Sequence, residues 1–461
     1  MSTPRTDSIQ GLKVTVMGLG LNGGGLASAR FFAQRGARVS VTDLRDEALL
    51  KPSIDALEGL PIRFVLGRHE ITDFSSADLV IKNPAVRPDS EYLKAAPKVE
   101  TDLSVFLSFC TAPIVAITGS KGKSTTASAT AHALNTCGIK AHLGGNITRS
   151  PLDFIDEIQT GDRVVLELSS WQLGDLKGRG LLNPRAAVLT RIVPDHQDRY
   201  GSMEAYVADK RLIYADQSPG NWTICDAEDE YGRSFAAETK AGVLWYGKAL
   251  PPDGFGVRIL PDGSCAAKLP GHKELEILPS DILLPGPHNR RNLAAAAAAA
   301  WCAGADPAKL GQALASFGGV EHRLEVFADY AGVRWCNDSA ATVPQSTAAA
   351  LSAFEDPIVL ICGGTDKQLD FTPVREAYRR ASAIILLAGT GTDKLRILLD
   401  EDGVAYEGPY SDFKEALKRA ASVARPGSIV VLSPGCTSFG MFKNEFDRGN
   451  SFKREVALLY S

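Results

Sequence analysis

The sequence has no closely spaced pair of cysteines. Its 461 residues include eight cysteines, and none of them forms the C-x-x-C pattern that is typical of zinc sites and dithiol redox centres. Secreted proteins usually pair their cysteines in disulfides, whereas scattered thiols are typical of a reducing compartment. We therefore expect a cytoplasmic protein that has neither a zinc site nor a dithiol centre.

Long apolar runs and an excess of positive charge are missing as well. No run of about eighteen or more apolar residues occurs, and residues 1–10 lack the apolar core of a secretory signal. The formal net charge is −4 at pH 7, so the sequence has no basic field that would favour nucleic acid. We expect no membrane segment and no nucleic-acid partner.

Strand and helix patterns alternate in three successive blocks. The first block begins at Val14 and the second begins at Ile114. Such alternation is typical of open, mostly parallel sheets with helices on their faces. A chain of 461 residues has room for about three domains. We predict an α/β fold with domains at residues 1–99, 100–319 and 320–461.

Local patterns add detail to the second and third blocks. Turn residues crowd together between positions 253 and 280, which predicts a small excursion of short β-strands. The run Ala294–Ala300 predicts a tightly packed helix with small faces. Short apolar runs predict the strands of the third block at Ile358–Cys362, Ala383–Ala388 and Ser428–Leu432.

The first block contains a glycine-rich loop directly after its first predicted strand. The loop has the G-x-G-x-x-G spacing at residues 18–23, which between a strand and a helix is typical of dinucleotide binding. Asp43 ends the next predicted strand, where a ribose hydroxyl would lie, and Arg45 could pair with a phosphate. The pattern alone is weak, because many such turns need glycines only for packing.

A second loop, G-S-K-G-K-S-T at residues 119–125, begins the second block. Backbone N–H groups in such a turn surround phosphate oxygens, and the following helix adds its positive dipole end. Lys123 would reach the β- and γ-phosphates, and Ser124 or Thr125 would reach Mg²⁺. Ile117 stands where a P-loop has its first glycine, so the match is partial, and a solvated Gly/Lys turn is the alternative.

Three further residues suggest a catalytic set. Glu167 lies in an apolar strand pattern, where a carboxylate is costly unless it is paired or binds a metal; the alternative is a strand-end acid that reaches solvent. His196 offers an imidazole that could hold a metal, although alone it would be a surface histidine. Lys210 lies between apolar residues on a predicted helix, and the alternative is that its amino group extends to solvent.

Nine motifs then occur in a fixed order along nearly the whole chain. They are G-S-K-G-K-S-T, L-E-L-S-S-W-Q-L, D-H-Q-D-R-Y, Y-V-A-D-K-R-L-I-Y, G-P-H-N-R-R-N, E-H-R-L-E, N-D-S-A-A-T, G-G-T-D-K-Q-L-D-F and L-S-P-G-C-T-S-F-G-M-F-K-N-E-F-D-R-G. Together they resemble the Mur ligase family, and within it the ligases that add glutamate to UDP-N-acetylmuramoyl-L-alanine. An ordered set of motifs is far more specific than any single loop.

The resemblance implies a fold and a reaction. It implies a Rossmann-like N-terminal domain for the UDP end of the substrate, a central P-loop-ATPase-like parallel sheet for ATP, and a Rossmann-like α/β C-terminal domain for glutamate. The implied enzyme is an ADP-forming ligase of D-glutamate and UDP-N-acetylmuramoyl-L-alanine in cytoplasmic peptidoglycan precursor synthesis. An acyl phosphate is the implied intermediate, and a monomer is the implied state.

The resemblance also implies a role for each of several residues. ATP contacts are implied for Gly119, Ser120, Lys121, Gly122, Lys123, Ser124, Thr125, Asn289, Asn292, Arg323 and Asp338. Contacts to the UDP-substrate are implied for Leu21, Asn22, Asp43, Arg45, Asn146, Ser169 and Gln172. Contacts to glutamate are implied for Thr342, Lys367, Ser438 and Phe439.

Two magnesium ions and a modified lysine belong to the same set of implications. The implied metal ligands are Ser124, Glu167, His196 and Lys210, the last as a carbamate. Carbamylation would turn the ammonium of Lys210 into a carboxylate-like ligand. Lys123, His196 and Lys210 are the implied catalytic residues.

Three positions depart from the family pattern. Ala340 stands where many members have a lysine near the incoming glutamate, and Glu445 stands where a phenylalanine often follows F-K-N. Arg191 replaces a common asparagine. The first two leave L-glutamate open as an alternative acceptor, although Lys367 and the backbone of Ser438 could still hold its carboxylates.

Other classes explain less of the sequence. A NAD-dependent dehydrogenase leaves the lysine loop unexplained, and a folylpolyglutamate-type ligase usually lacks a separate N-terminal domain like residues 1–99. A non-catalytic nucleotide-binding protein needs no metal set such as Glu167, His196 and Lys210. An ATP-dependent ligase accounts for both loops.

Overall fold

The described part of the chain forms three open sheets. The computed structural model describes residues 9–20, 23–84, 86–87, 89–147, 149–195, 200–284, 286–366, 370–438 and 440–460. The chain divides into a first unit of residues 1–280 and 291–314 and a second unit of residues 281–290 and 315–461. Two sheets lie in the first unit and one lies in the second, as the three predicted α/β blocks require.

The first sheet has the Rossmann-like order expected from its glycine-rich loop. Its strands are Lys13–Met17 (β1), Arg38–Asp43 (β2), Ile62–Leu66 (β3), Leu79–Lys82 (β4) and Val99–Glu100 (β5). All pairs are parallel, in the order β3-β2-β1-β4-β5. The strand order reverses beside β1, and ligands of such sheets bind outside the carboxyl ends of the strands at this reversal. Its helices are Gly24–Gln34, Glu47–Asp55, Ile71–Ser75, Glu91–Ala95 and Asp102–Phe109.

The second sheet contains nine strands. They are Ile114–Thr118 (β6), Ala141–Gly145 (β7), Arg163–Glu167 (β8), Ala186–Leu189 (β9), Trp222–Asp226 (β10), Gly242–Gly247 (β11), Gly256–Ile259 (β12), Cys265–Lys268 (β13) and Leu275–Leu278 (β14). The order is β14-β13-β12-β11-β10-β9-β6-β8-β7. Only the pairs β12–β13 and β13–β14 among them are antiparallel, so the predicted β excursion is confirmed.

Helices connect these strands and continue beyond them. The α-helices are Lys123–Thr136, Ser170–Gly174, Met203–Ala215, Glu230–Glu238, Pro287–Cys302 and Pro307–Ala315, and Pro151–Glu157 is a 3-10 helix. The predicted helix over Ala294–Ala300 is confirmed, and each of these alanines is at most 1% exposed. None of the helices in the described ranges is long and apolar enough to cross a membrane.

One hydrophobic cluster runs through both sheets of the first unit. Phe106, on the helix after β5, meets Phe154, on the 3-10 helix after β7, with ring centroids 5.8 Å apart in an edge-to-face arrangement. Aromatic pairs of this geometry contribute about 0.5–1.5 kcal/mol beyond the area that they bury. The N-terminal sheet is therefore packed on the central sheet through a shared core.

The sheet of the second unit has more strands than the sequence predicts. Its strands are Glu325–Tyr330 (β15), Val333–Asn337 (β16), Ile358–Cys362 (β17), Ala381–Leu387 (β18), Glu407–Tyr410 (β19) and Ile429–Leu432 (β20). The order is β15-β16-β20-β17-β18-β19, and only β15–β16 among these pairs is antiparallel. The helices are Pro344–Ala353, Thr390–Glu401, Phe413–Val423 and Glu445–Leu459, with a 3-10 helix at Thr372–Arg380.

The three strands that were not predicted have specific causes. β15 and β16 are joined by Ala331 and Gly332, which both have positive φ, at 53° and 78°. Positive φ at both central residues is the geometry of a tight hairpin turn, but it usually requires Asn-Gly or a similar pair. β19 contains Pro409, which is tolerated because β19 is an edge strand.

Candidate active site

The phosphate loop joins β6 to the helix Lys123–Thr136. Gly119 has φ of 150°, and a Cβ there would lie 1.9 Å from Thr190 Oγ1. Gly122 has φ of 91°, and a Cβ there would lie 2.3 Å from Asn292 Oδ1. Both positions therefore require glycine, because of backbone conformation and close approach. The loop places the N-terminus of the helix beside the carboxyl end of β6, and a helix N-terminus in this position can bind phosphate.

Inside the loop, Ser120 and Lys121 are bonded to other protein groups. The Ser120 hydroxyl donates to the Val193 carbonyl at 2.9 Å and lies 2.9 Å from the Tyr206 hydroxyl. The amides of Ser120 and Lys121 donate to the Arg191 carbonyl at 2.9 and 3.3 Å. An ATP contact by these particular groups of Ser120 and Lys121 would require them to exchange partners.

Two lysine amino groups lie at this loop. Lys123 Nζ donates to the Ser120 carbonyl at 3.0 Å, and Lys210 Nζ donates to the Gly119 carbonyl at 2.8 Å. Lys210 is 1% exposed, and its Nζ lies 4.5 Å from the centroid of the Tyr206 ring. The alternative that Lys210 extends to solvent is therefore wrong.

Burial, and next the positive charge of Lys123, lower the pKa of Lys210 to about 7. An ammonium loses hydration when it is buried, and a like charge nearby disfavours it further. A substantial fraction of this amino group is therefore neutral at neutral pH. A neutral amine is nucleophilic, and an ammonium is not.

Glu167 ends β8, next to β6 and the phosphate loop, with Ile117 as its register partner. The side chain is 2% exposed, so the alternative of a strand-end acid that reaches solvent is wrong. Its Oε1 accepts from Asn146 Nδ2 at 3.1 Å. Its Oε2 is buried and has no hydrogen-bond partner among the residues that the structure describes. A buried carboxylate oxygen without a partner is costly, so this position fits a cation such as Mg²⁺.

The predicted contacts to the muramoyl end of the substrate adjoin Glu167. The Asn146 amide donates to the Glu167 carbonyl at 2.7 Å. Ser169 and Gln172 form a capping box at the start of the helix Ser170–Gly174, in which each side chain bonds to the backbone N–H of the other residue. A contact of Ser169 or Gln172 with substrate would add to this capping or replace it.

The predicted contacts to the UDP end lie at the carboxyl edge of the N-terminal sheet. Asp43 Oδ2 accepts from the Gly20 amide at 3.1 Å, and its Oδ1 accepts from the Arg45 amide at 3.0 Å. Asp43 is 4% exposed, and Arg45 Nε lies 3.7 Å from its Oδ1. Asp43 thus holds the glycine-rich loop in place. Leu21 and Asn22, also predicted here, lie outside the described residues.

In the second unit, Asp338 lies in a buried pocket of hydrogen-bond donors. Its Oδ2 accepts from Ser433 Oγ at 2.6 Å and its Oδ1 accepts from the Leu324 amide at 3.1 Å. Burial raises the pKa of this carboxyl to about 7, against these bonds. Arg323 stands directly before Leu324 in the chain.

Other predicted residues are distributed between the units. Ser438 and Asn289 are buried residues of the second unit, which also contains the partly exposed Thr342. Asn292 belongs to the first unit, where it lies against Gly122. The predicted His196, Lys367 and Phe439 lie outside the described residues.

Two residues that the sequence did not single out support these positions. Tyr206 lies one helical turn before Lys210, and its hydroxyl bonds to Ser120. The four-residue spacing on a predicted helix could have indicated that the two side chains lie on the same face. Arg448 is 1% exposed and donates to the carbonyls of Ser339 at 2.8 Å and Cys436 at 3.2 Å. Its motif, F-D-R-G, gave no indication that the guanidinium is buried.

Comparisons with known proteins cover nearly the whole chain. The MurD-like N-terminal domain of the Mur ligases matches residues 12–104, the Mur ligase middle domain matches residues 117–300, and the Mur ligase glutamate ligase domain matches residues 322–436. A UDP-N-acetylmuramoylalanine--D-glutamate ligase of Treponema pallidum is 39% identical, with 98% of each chain covered. A ligase of the same name from Roseiflexus is 43% identical over 97% of this chain and 99% of that protein.

The chain belongs to the Mur ligase family. Mur ligases are ATP-dependent ligases, so the enzyme class expected from the sequence is confirmed, and the dehydrogenase alternative is wrong. Solved structures agree in fold. MurC from Thermotoga maritima has a TM-score of 0.59 at 21% identity, covering 97% of this chain and 100% of that one. MurF from Acinetobacter baumannii has a TM-score of 0.57 at 15% identity, covering 96% and 93%.

Proposed function

We propose that this Mur ligase joins D-glutamate to UDP-N-acetylmuramoyl-L-alanine, with cleavage of ATP to ADP and phosphate, in cytoplasmic peptidoglycan precursor synthesis. The observation that carries the proposal is near-full-length identity of 39–43% to ligases named for this reaction. The MurD-like character of residues 12–104 supports it further. We also propose a monomer whose three domains span residues 1–99, 100–319 and 320–461.

The reaction brings two anions together. A carboxylate oxygen of the L-alanyl group attacks the γ-phosphorus, the bond to ADP breaks, and an acyl phosphate forms. The amine of glutamate then attacks the acyl carbon, loses a proton and expels phosphate through a tetrahedral intermediate. Fixed positive charge must offset the repulsion of carboxylate and triphosphate. Lys123, whose amino group lies over the phosphate loop, is proposed to supply part of it.

Magnesium, when bound, would supply the remaining positive charge between the carboxylate and the triphosphate. Glu167 is proposed to hold one ion together with Ser124, and the unpartnered Oε2 of Glu167 supports this assignment. A second ion is proposed for His196 and a carbamylated Lys210. ATP is proposed to contact residues 119–125 and Asn292 in the first unit.

Carbamylation of Lys210 is the part of the proposal that the local chemistry supports most directly. The neutral amine would attack the carbon of CO₂, form an N–C bond and release one proton, which leaves a carbamate anion. The lowered pKa of Lys210, about 7, provides neutral amine for this step. The product would also replace the repulsion between two cations, Lys210 and Lys123, by an attraction.

The remaining contacts are proposed for the two ends of the substrate pair. Leu21, Asn22, Asp43 and Arg45 would hold UDP, and Asn146, Ser169 and Gln172 would hold the muramoyl-alanine portion. In the second unit, Asn289, Arg323 and Asp338 would contact ATP. Thr342, Lys367, Ser438 and Phe439 would hold glutamate. Ala340 and Glu445 make L-glutamate the second candidate acceptor.

A phosphate-release assay with Mg·ATP and UDP-N-acetylmuramoyl-L-alanine tests the function. D-glutamate and L-glutamate are offered separately, with Lys123→Ala as the matched inactive control. We expect release with D-glutamate alone. Release with L-glutamate alone would establish the alternative acceptor, and no release with either would overturn the proposed function.

A further inference from the structure

The short helix Ser170–Gly174 is fastened to the N-terminal sheet by the turn that follows it. Lys82 Nζ, at the end of β4, donates to Asp175 Oδ2 at 2.7 Å. Arg179 forms an ion pair with Glu100 on β5 and donates to the Val99 carbonyl at 3.0 Å. We call the two ion pairs, Lys82–Asp175 and Arg179–Glu100, the interdomain clamp.

The Lys82–Asp175 pair is largely removed from solvent. The side chain of Lys82 is 6% exposed and that of Asp175 is 12% exposed. Removing two charges from water costs about as much as their attraction returns, so a buried ion pair often adds little net stability compared with an apolar pair. Breaking a buried pair by removing one partner is strongly destabilising, however, so the pair favours one separation of the two segments that carry it. The clamp is therefore suited to fixing a distance.

The two residues of the first ion pair, Lys82 and Asp175, lie beside two different parts of the proposed substrate site. Lys82 is the register partner of Met17, which directly precedes the glycine-rich loop, and it lies at the same sheet edge as Asp43. Asp175 directly follows the helix that begins with the capping box of Ser169 and Gln172. The clamp thus links the edge proposed for UDP to the segment proposed for muramoyl-alanine.

We propose that the interdomain clamp sets the spacing between these two subsites, so that both ends of one donor substrate bind at the same time. This inference rests on the proposed function. A ligand that spans two subsites binds more tightly than either part alone only while the separation of the subsites matches its length. Lys82 and Asp175 are positioning residues in this scheme, since neither is assigned a contact with substrate.

The test is calorimetric titration of the full chain with two ligands, UDP and UDP-N-acetylmuramoyl-L-alanine. In Lys82→Met, which keeps an unbranched side chain, we expect the Kd of UDP to stay within about twofold. The Kd of the complete substrate should rise at least about tenfold, because the gain from spanning two subsites is lost. Asp175→Asn should act in the same way, and the exchanged pair Lys82→Asp with Asp175→Lys should recover part of the loss.

Arg30→Met serves as the matched control. Arg30 forms another ion pair between the same two domains, with Asp153 on the 3-10 helix Pro151–Glu157 at 3.1 Å, but the two side chains are 33% and 21% exposed. Exposed ion pairs contribute little, so the loss of this pair should leave both Kd values unchanged. Equal weakening of UDP and of the complete substrate in Lys82→Met would indicate damage to the UDP site and overturn the clamp. Unchanged Kd values for both ligands in Lys82→Met would overturn the clamp as well. The phosphate-release assay tests the proposed function separately. If the unmodified protein and all variants bound the complete substrate as expected but released no phosphate, only the proposed function would be overturned.

Discussion

The two glycine-rich loops of the first unit share a strand–turn–helix shape but differ in the charges around them. The loop after β1 is held by a carboxylate, since Asp43 accepts the Gly20 amide. The loop after β6 is held by lysine amino groups, since Lys123 and Lys210 donate to its carbonyls. Both loops lead from a strand into the start of a helix, a position that suits phosphate. The difference teaches that the surrounding charges, more than the glycines, distinguish the loop proposed to position the UDP-substrate from the loop proposed to bind ATP.

Removing the buried amino group of Lys210 should have the largest effect on this comparison. We expect Lys210→Ala to lower turnover at least about a hundredfold, because loss of one fixed electrostatic group in such a site typically costs 10²–10³ in rate. Phosphate release measures it. Lys210→Arg is the control, since it keeps a positive charge but cannot carry a carbamate. Turnover near the wild-type value in either variant would contradict the carbamate.

Glycine-to-alanine substitutions in the two loops should have the next largest effect, and they should affect the binding of different ligands. A Cβ at Gly119 would lie 1.9 Å from Thr190 Oγ1, whereas a Cβ at Gly18 would lie 3.4 Å from Asn83 Cβ. Overpacking of this kind typically costs about 1–3 kcal/mol, so Gly119→Ala should raise the Kd of ATP by about tenfold or more.

Gly18→Ala is the companion variant, with a positive φ of 91° but without the severe contact. It should leave the Kd of ATP unchanged and weaken UDP binding only through backbone strain of about 1–2 kcal/mol. Equal effects of the two substitutions on ATP binding would show that the loops do not act separately. Thermal unfolding of both variants checks that each remains folded.

The pKa of Lys210 predicts that the rate of activation by bicarbonate depends on pH, whereas UDP binding at the first loop does not depend on bicarbonate. Below about pH 7, the neutral fraction of an amine with that pKa falls about tenfold for each pH unit. Protein freed of CO₂ should therefore regain activity on addition of bicarbonate more slowly as the pH falls, when rates are compared at equal dissolved CO₂. UDP binding should not change with bicarbonate. An activation rate that is independent of pH would argue against a reactive Lys210 amine.

The smallest expected effect concerns the acid of the first loop. The amides of Gly20 and Arg45 donate to different oxygens of Asp43. Asp43→Asn keeps an acceptor for only one of them and loses the charge, so about one hydrogen bond, ~1 kcal/mol, is at stake. We expect the Kd of UDP to rise about fivefold and the Kd of ATP to stay unchanged. An effect on ATP that equals the effect on UDP would remove the distinction between the loops.

Much of the fold was predictable because it depends on local patterns. β6 and β17 are uninterrupted apolar strands, and the predicted and observed bounds of β17 coincide at Ile358–Cys362. β15 and β19 were not predictable in the same way. The first is mostly half-exposed, and the second contains a proline that only an edge strand tolerates.

The site was predictable in its residue types but not in its contacts. The strand pattern around Glu167 suggested a paired or metal-binding acid, and its burial with one unpartnered oxygen agrees with that. The burial of Lys210 depends on its contact with Gly119, which is 91 positions away. Likewise Lys82 and Asp175 are 93 positions apart. Periodicity along the chain contains no information about such pairs, since tertiary packing creates them.

The alanine run of the helix Pro287–Cys302 has a genetic consequence. All seven alanines are at most 1% exposed, so the helix is enclosed on every side along this stretch. A single base change in an alanine codon yields Gly, Ser, Thr, Val, Pro, Asp or Glu. Glycine costs about 1 kcal/mol of helix propensity. Each of the other residues places a larger side chain in a site that is already closely packed. The segment with the simplest composition should therefore be among the segments that tolerate the least sequence drift.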